Sequence, residues 1–212
     1  MFKIIFVDNH LLAVDKPAGL LTQPDSSGRK SLESVYKRWV KNEYQKPGNV
    51  YLEAAHRIDK PASGVVLFAR TSKSVSRLKE SVRNRDSIKI YQALVEGDLP
   101  DEGELENFLV HDDFRARVVP NKTKRSKLAK LKYRVLERYS DYSLVEVNLE
   151  TGRYHQIRIQ FAEIGCPIIG DSKYGSQFEH SMEGIALHHH RLVIPHPTKP
   201  ELMKFESVPP WI

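Results

Sequence analysis

The chain has 212 residues, 40% hydrophobic and 28% charged, the make-up of an ordinary globular protein long enough to bury a substantial core. Its 33 Lys and Arg against 27 Asp and Glu leave a net charge of +6 and a pI of about 9.3, which points to a polyanionic partner. The single cysteine, Cys166, excludes an internal disulfide framework and a multi-cysteine zinc site, and no apolar run reaches the ~18 residues of a membrane span.

The start of the chain is too short and too soon interrupted by Asp8 to be a signal peptide, so a cytoplasmic protein with no membrane partner is expected. Residues 2–7 and 11–15 read as two strands around a tight turn at Asn9-His10. Lys16-Pro17-Ala18-Gly19-Leu20 opens a loop punctuated by proline and glycine. Ser31 is a helix N-cap, and the spacing predicts a helix to about Tyr44 with Leu32, Val35 and Trp39 on one face.

Next comes His56-Arg57-Ile58-Asp59-Lys60-Pro61-Ala62-Ser63-Gly64, followed by the apolar run Val65-Val66-Leu67-Phe68. Pro61 rules out a helix and Gly64 allows a tight turn, so Asp59 is expected on a stiff loop feeding a buried strand. A carboxylate held on a rigid loop suits chemistry, but Asp-Lys-Pro is also ordinary turn composition, and the segment alone does not separate the two.

Ser72 caps a predicted helix over 73–85. Val75, Leu78 and Val82 form its apolar stripe, while Lys73, Arg77, Lys79, Arg83 and Arg85 make a candidate phosphate-contacting face. Residues 88–97 read as a strand with Tyr91 on the same side as Lys89 and Ala93. Residues 104–110 read as another strand. Residues 114–132 carry eight cations, Arg115, Arg117, Lys122, Lys124, Arg125, Lys127, Lys130 and Lys132, and are expected to form a mobile basic loop that contacts RNA.

Strands follow at 131–137 and 142–150. Thr151-Gly152-Arg153-Tyr154 is a turn into a helix over 155–164, with Ile157, Phe161 and Ile164 facing the core and Gly165 as its stop. Arg158 stands near the start of that helix, where the dipole disfavours a cation, so a carboxylate partner is expected. Two last strands fall at 185–194 and 202–206. With no repeat, linker or composition break, residues 1–212 read as one α+β domain around a central mixed, mostly antiparallel sheet flanked by short helices.

The chain has no phosphate-binding P-loop, no dinucleotide fingerprint, no His-Glu-x-x-His and no Gly-x-Ser-x-Gly elbow. His188, His189, His190 and His196 suggest a metal, yet neighbours on a strand point to opposite faces, so no metal site is expected there.

Three segments together resemble the RluA family of pseudouridine synthases. They are His56-Arg57-Ile58-Asp59 with Ser63-Gly64, Lys89-Ile90-Tyr91 with Gly97, and Thr151-Gly152-Arg153-Tyr154-His155-Gln156-Ile157-Arg158 followed by Gly170-Asp171-Ser172-Lys173-Tyr174-Gly175. Lys16-Pro17-Ala18-Gly19-Leu20 and His196-Pro197 match weaker landmarks. Ile58 stands where leucine is usual and Ala62 where threonine is usual. The family's small N-terminal S4-like domain has no counterpart in the sequence, so a stand-alone catalytic domain is expected.

The resemblance implies isomerisation of uridine in ribosomal or transfer RNA. The glycosidic bond breaks, the uracil turns and is rejoined through carbon 5, with no cofactor and no metal. It makes Asp59 the reacting carboxylate, Arg158 its partner, and Tyr91 the residue that stacks on the uracil and helps remove the carbon-5 proton. Arg57 holds the RNA helix open, Ile157 walls the pocket, and His56, Arg153 and His155 complete the uridine-binding set. A monomer is the expected state. The rival readings are an inactive RNA-binding protein on the same scaffold and a metal-dependent nuclease using His188, His190 and His196.

Overall fold

The computed structural model describes residues 2–26 and 28–212. In chain order the first half holds β1 (Ile4–Val7), β2 (Leu11–Lys16), α1 (Leu32–Glu43), β3 (Glu53–Ala54), β4 (Ser63–Ala69), α2 (Ser72–Asn84) and β5 (Ile88–Glu96). Then follow β6 (Glu102–Asp112), β7 (Arg115–Val119), β8 (Lys127–Arg138), β9 (Tyr142–Leu149), α3 (Gln156–Glu163), β10 (Leu187–Pro195) and β11 (Leu202–Glu206). The class is α+β with largely antiparallel pairing, as the sequence led one to expect. Among the described residues no helix is long and apolar enough to cross a membrane.

The residues gather into two compact units. One comprises the chain up to Ile88 with His189–Pro210 and Ile212; the other comprises Lys89–His188 with Trp211. In the first, the strand order is β1-β2-β4-β10, with β3 paired to β4 and β11 to β10. Its core joins Leu11, Ala13, Val65, Leu67, Val75, Leu78, Leu192 and Phe205. β4 is buried along its whole length, the strand expected behind Asp59. Gly64 has φ +113, and a Cβ there would stand 2.4 Å from the carbonyl oxygen of His189, so only glycine fits.

The two helices of this unit differ in detail from the sequence reading. Ser31 caps α1 through a capping box with Ser34, but the buried stripe is Leu32, Tyr36 and Val40, with Val35 and Trp39 only half-buried. The stripe is rotated because Tyr36 goes inward and donates its hydroxyl proton to the Phe2 carbonyl, 2.8 Å away. For α2 the cap is Thr71, one residue before the expected Ser72; its Oγ1 accepts from Ser74 N–H. The basic face of α2 is exposed as expected, although Lys79 pairs with Glu53 and Arg77 donates to the Pro197 carbonyl.

The second unit has the strand order β5-β9-β8-β6-β7 with α3 packed on β6 and β7. The expected mobile loop over 114–132 is instead β7, a short turn and the first half of β8. Two alternations explain this. Ala116 is buried between exposed Arg115 and Arg117, and Ala129 and Leu131 are buried beside Lys127 and Lys132. A basic strand face is tolerated because β7 lies at the end of its strand order.

Helix α3 is buried on all sides from Gln156 to Phe161, which is why it shows little amphipathic pattern. Its polar side chains bond to one another and to neighbouring backbone. Gln156 Oε1 accepts from Thr151 Oγ1 at 2.8 Å and from Arg153 N–H at 3.0 Å. Gln160 donates to Asn107 Oδ1 at 2.8 Å and to the Leu105 carbonyl at 3.1 Å. Ile164, expected in the core, is 42% exposed because the helix has already ended at Glu163.

Candidate active site

In the first unit, the loop between β3 and β4 carries His56, Arg57 and Asp59. Asp59 is half-buried, Arg57 is exposed, and Ile58 between them is buried. The backbone on both sides of Asp59 is tied down. The Thr22 hydroxyl, itself buried, donates to the Ile58 carbonyl at 3.0 Å and accepts from Ile58 N–H at 3.4 Å. The Lys60 carbonyl accepts from Gly19 N–H at 2.9 Å and from Lys16 Nζ at 3.2 Å. Ala62 N–H closes a turn onto the Asp59 carbonyl at 3.1 Å.

Lys16 is fully buried, and its ammonium also donates to the carbonyls of Pro17 and Leu20 at 2.9 and 2.8 Å. Carbonyl oxygens thus replace the water that a buried cation has lost. His56 Nε2 accepts from Leu67 N–H at 3.2 Å, which puts the ring proton of the neutral imidazole on Nδ1. Its ring meets that of His189 edge-on at 5.1 Å.

In the second unit, Tyr91 lies on β5 and is 7% exposed. Along that strand Tyr91, Ala93 and Val95 share one buried face with Lys89 at its end. Arg158 lies in the first turn of α3, with Ile157 buried beside it. A carboxylate does stand beside this arginine, and it is Asp171, a residue the sequence reading had not named for that place. Nε of Arg158 donates to Asp171 Oδ2 at 2.6 Å and Nη2 to Oδ1 at 2.8 Å, with both side chains almost wholly buried. Such a fork fixes the plane of the guanidinium as well as its position.

The guanidinium carbon also stands 5.0 Å from the centre of the Tyr174 ring. The Tyr174 hydroxyl accepts from Ala116 N–H and meets His155 Nδ1, each at 2.8 Å. His155 is the N-cap of α3 in the left-handed conformation, φ 52, and it stacks on Tyr154 with ring centres 3.8 Å apart. Burial, then the Arg158 and Lys173 cations, push its pKa down to about 3, so it is neutral at physiological pH. Arg153 is half-buried and donates through Nε to the Leu128 carbonyl at 2.8 Å.

The sequence reading did not assign work to Lys16, Thr22, Asp171 or Tyr174. Three of them, Lys16, Asp171 and Tyr174, fall inside quoted landmarks, but most of their bonds reach beyond those segments, with no local period to show them. The C-terminal histidines have structural duties. His196 Nε2 bonds Asp8 Oδ2 at 3.0 Å while its Nδ1 accepts from the backbone N–H groups of Thr198 and Lys199. His190 Nδ1 donates to the Ser207 carbonyl. Among the described residues no cluster of three histidine, cysteine or acidic side chains has the geometry to hold a metal.

Known proteins share the sequence pattern and fold of this chain. The family model described as RNA pseudouridylate synthase matches residues 10–163. The dual-specificity RNA pseudouridine synthase RluA of Haemophilus ducreyi is 35% identical over 214 residues, covering 97% of this chain and 92% of that protein. The ribosomal large subunit pseudouridine synthase D of Pseudomonas aeruginosa is 30% identical over 223 residues, covering 97% of this chain and 67% of that one. In fold, the chain is similar to human RNA pseudouridylate synthase domain containing 4, with a TM-score of 0.82 and 23% identity over 98% of this chain and 88% of that one. The chain belongs to the RNA pseudouridylate synthase family, and is by that membership an isomerase acting on RNA.

Proposed function

We propose that this protein isomerises specific uridines in ribosomal RNA, transfer RNA or both, with Asp59 as the reacting carboxylate. The observation that carries this reading is the double anchoring of the Asp59 loop, through Thr22 on one side and through Gly19 and Lys16 on the other. A reacting group gains most when its position is fixed before the substrate arrives. The RNA classes rest on the names of similar proteins, one called dual-specificity and another ribosomal large subunit.

The reaction balances within one nucleotide. The bond from ribose to uracil nitrogen 1 breaks, the base turns, carbon 5 bonds to the ribose, and the carbon-5 proton moves to the nitrogen side of the ring. Asp59 attacks the nucleotide, at the sugar or at the base, and Arg158 orients that carboxylate in one rotamer. Tyr91 stacks on the uracil and assists the carbon-5 proton. Ile157 excludes water from the detached base. His56, Arg153 and His155 contact the nucleotide, and Arg57 keeps the RNA open after the base has left its stack, an extrusion that costs a few kcal/mol. The exposed cations of α2 and of residues 115–132 bind backbone phosphates. The protein acts as a cytoplasmic monomer.

Two measurements test this. Mapping pseudouridines in total RNA of a strain lacking the gene should reveal specific lost sites in ribosomal or transfer RNA; an unchanged map would end the assignment. Asp59→Asn should isomerise none of those sites in vitro while binding the same RNA, and turnover by that variant would remove Asp59 from the reaction.

A further inference from the structure

Lys89 takes no part in the roles above. It is half-buried on the face of β5 that also carries Tyr91, two residues on. Its ammonium lies against the turn from β9 into α3, where a Cβ at Gly152 would stand 3.9 Å from Nζ. The next residue is Arg153, whose stem is fixed by its Nε bond to the Leu128 carbonyl. Among the described residues Lys89 Nζ has neither a hydrogen bond nor an ion pair, in contrast to Lys16 with its three carbonyls.

Burial, and after it the like charge of Arg153, draws the Lys89 pKa below that of an ordinary lysine. Holding two half-buried cations close together opposes folding, and an arriving anion relieves the opposition. A carboxylate of the protein would have relieved it permanently, yet the charge acting on Lys89 is a second cation. The cost is therefore kept for a ligand.

We propose that Lys89 and Arg153 form a subsite for a phosphodiester group of the RNA, next to the nucleotide that faces Tyr91. The position relative to that nucleotide rests on the role proposed for Tyr91; the phosphate subsite itself does not. The lysine supplies a point charge and the arginine a planar fork with donors beyond the Nε already engaged.

The test measures binding of a short oligouridylate across ionic strength, for the wild type, Lys89→Gln, Arg153→Gln and Lys89→Arg. Each glutamine variant should flatten the plot of log affinity against log salt by about 0.7, the increment for one phosphate contact on a single strand. Lys89→Arg should keep the wild-type slope. An oligouridylate with uncharged methylphosphonate linkages should bind wild type and Lys89→Gln equally. Thermal unfolding of the protein without RNA separates a structural role. Lys89→Gln should unfold at or above the wild-type midpoint, because it removes a repelled and partly desolvated charge.

Unchanged slopes in folded glutamine variants overturn the subsite, as does a wild type with no affinity for the oligonucleotide. If inorganic phosphate raises the wild-type midpoint through Lys89 while the RNA slopes stay equal, the ligand is free phosphate and the RNA assignment falls. Failure of the catalytic reading looks different. An active Asp59→Asn protein would sink that reading while leaving the salt slopes as predicted.

Discussion

Asp59 stands on a loop whose main chain is tied by Thr22, Gly19 and Lys16, whereas Arg158 stands on a helix whose side chains are tied to one another. In the first region the bonds end on backbone carbonyls and N–H groups, so they are indifferent to which side chain the loop presents. In the second, Asp171, Tyr174 and Gln156 are each held by another side chain, the last two by backbone as well. A loop anchored through its main chain can exchange its reacting group without losing shape. A buried polar helix cannot, because each partner removed leaves another polar group without water.

Substitutions that probe the two regions should therefore separate activity from stability. Asp59→Asn should abolish turnover and leave the urea midpoint near that of the wild type, since the groups that fix the loop are untouched. Asp171→Ala should do the opposite in kind. Breaking a bidentate pair at 5% and 1% exposure is expected to cost about 3–5 kcal/mol in urea denaturation. Finding Asp171→Ala as stable as the wild type would remove the contrast between the regions.

The fate of His155 is a second probe of the side-chain region. Its pKa is about 6.5 when unfolded and about 3 when folded, so the unfolded chain binds the extra proton between these values. Stability is fully present above pH 6.5 and falls as the pH is lowered toward 3. Between pH 7 and pH 5 this one group should account for about 2 kcal/mol. The measurement is the difference between wild type and His155→Gln in urea at both pH values. A constant difference would mean that His155 is not held neutral by its surroundings.

The two regions also differ in how far they could be read from the sequence. Pro61, Gly64 and the run Val65–Phe68 gave the stiff loop and its buried strand, because turn residues and apolar runs act locally. Thr22 was silent, since its partner Ile58 is 36 positions away and a buried threonine carries no periodic mark. Arg158 did show a need for a carboxylate, from its place at a helix start, but not that Asp171, thirteen residues later, supplies one. The basic segment from Arg115 to Lys132 misled through its charge. Ala116 between Arg115 and Arg117, and Ala129 with Leu131, had the two-residue alternation of strands, and an exposed strand face accepts arginine and lysine as readily as a loop does.

The smallest expected effect tests the main-chain region most directly. Thr22→Val keeps the size of the side chain and removes both bonds to Ile58, leaving a buried N–H and a buried carbonyl to find other partners. A loss of about 1 kcal/mol in stability is expected, the net worth of such a bond in a site that can relax. Activity should suffer more than that figure suggests, because a loop freed on one side lets the Asp59 carboxylate sample positions that do not react. The fall should appear in the single-turnover rate at saturating RNA, with affinity for RNA little changed. Thr22→Ser, which restores the hydroxyl but not the methyl, should recover most of the rate. If serine and valine behave alike, the methyl rather than the hydroxyl holds the loop, and the anchoring of Asp59 through the Ile58 backbone is refuted.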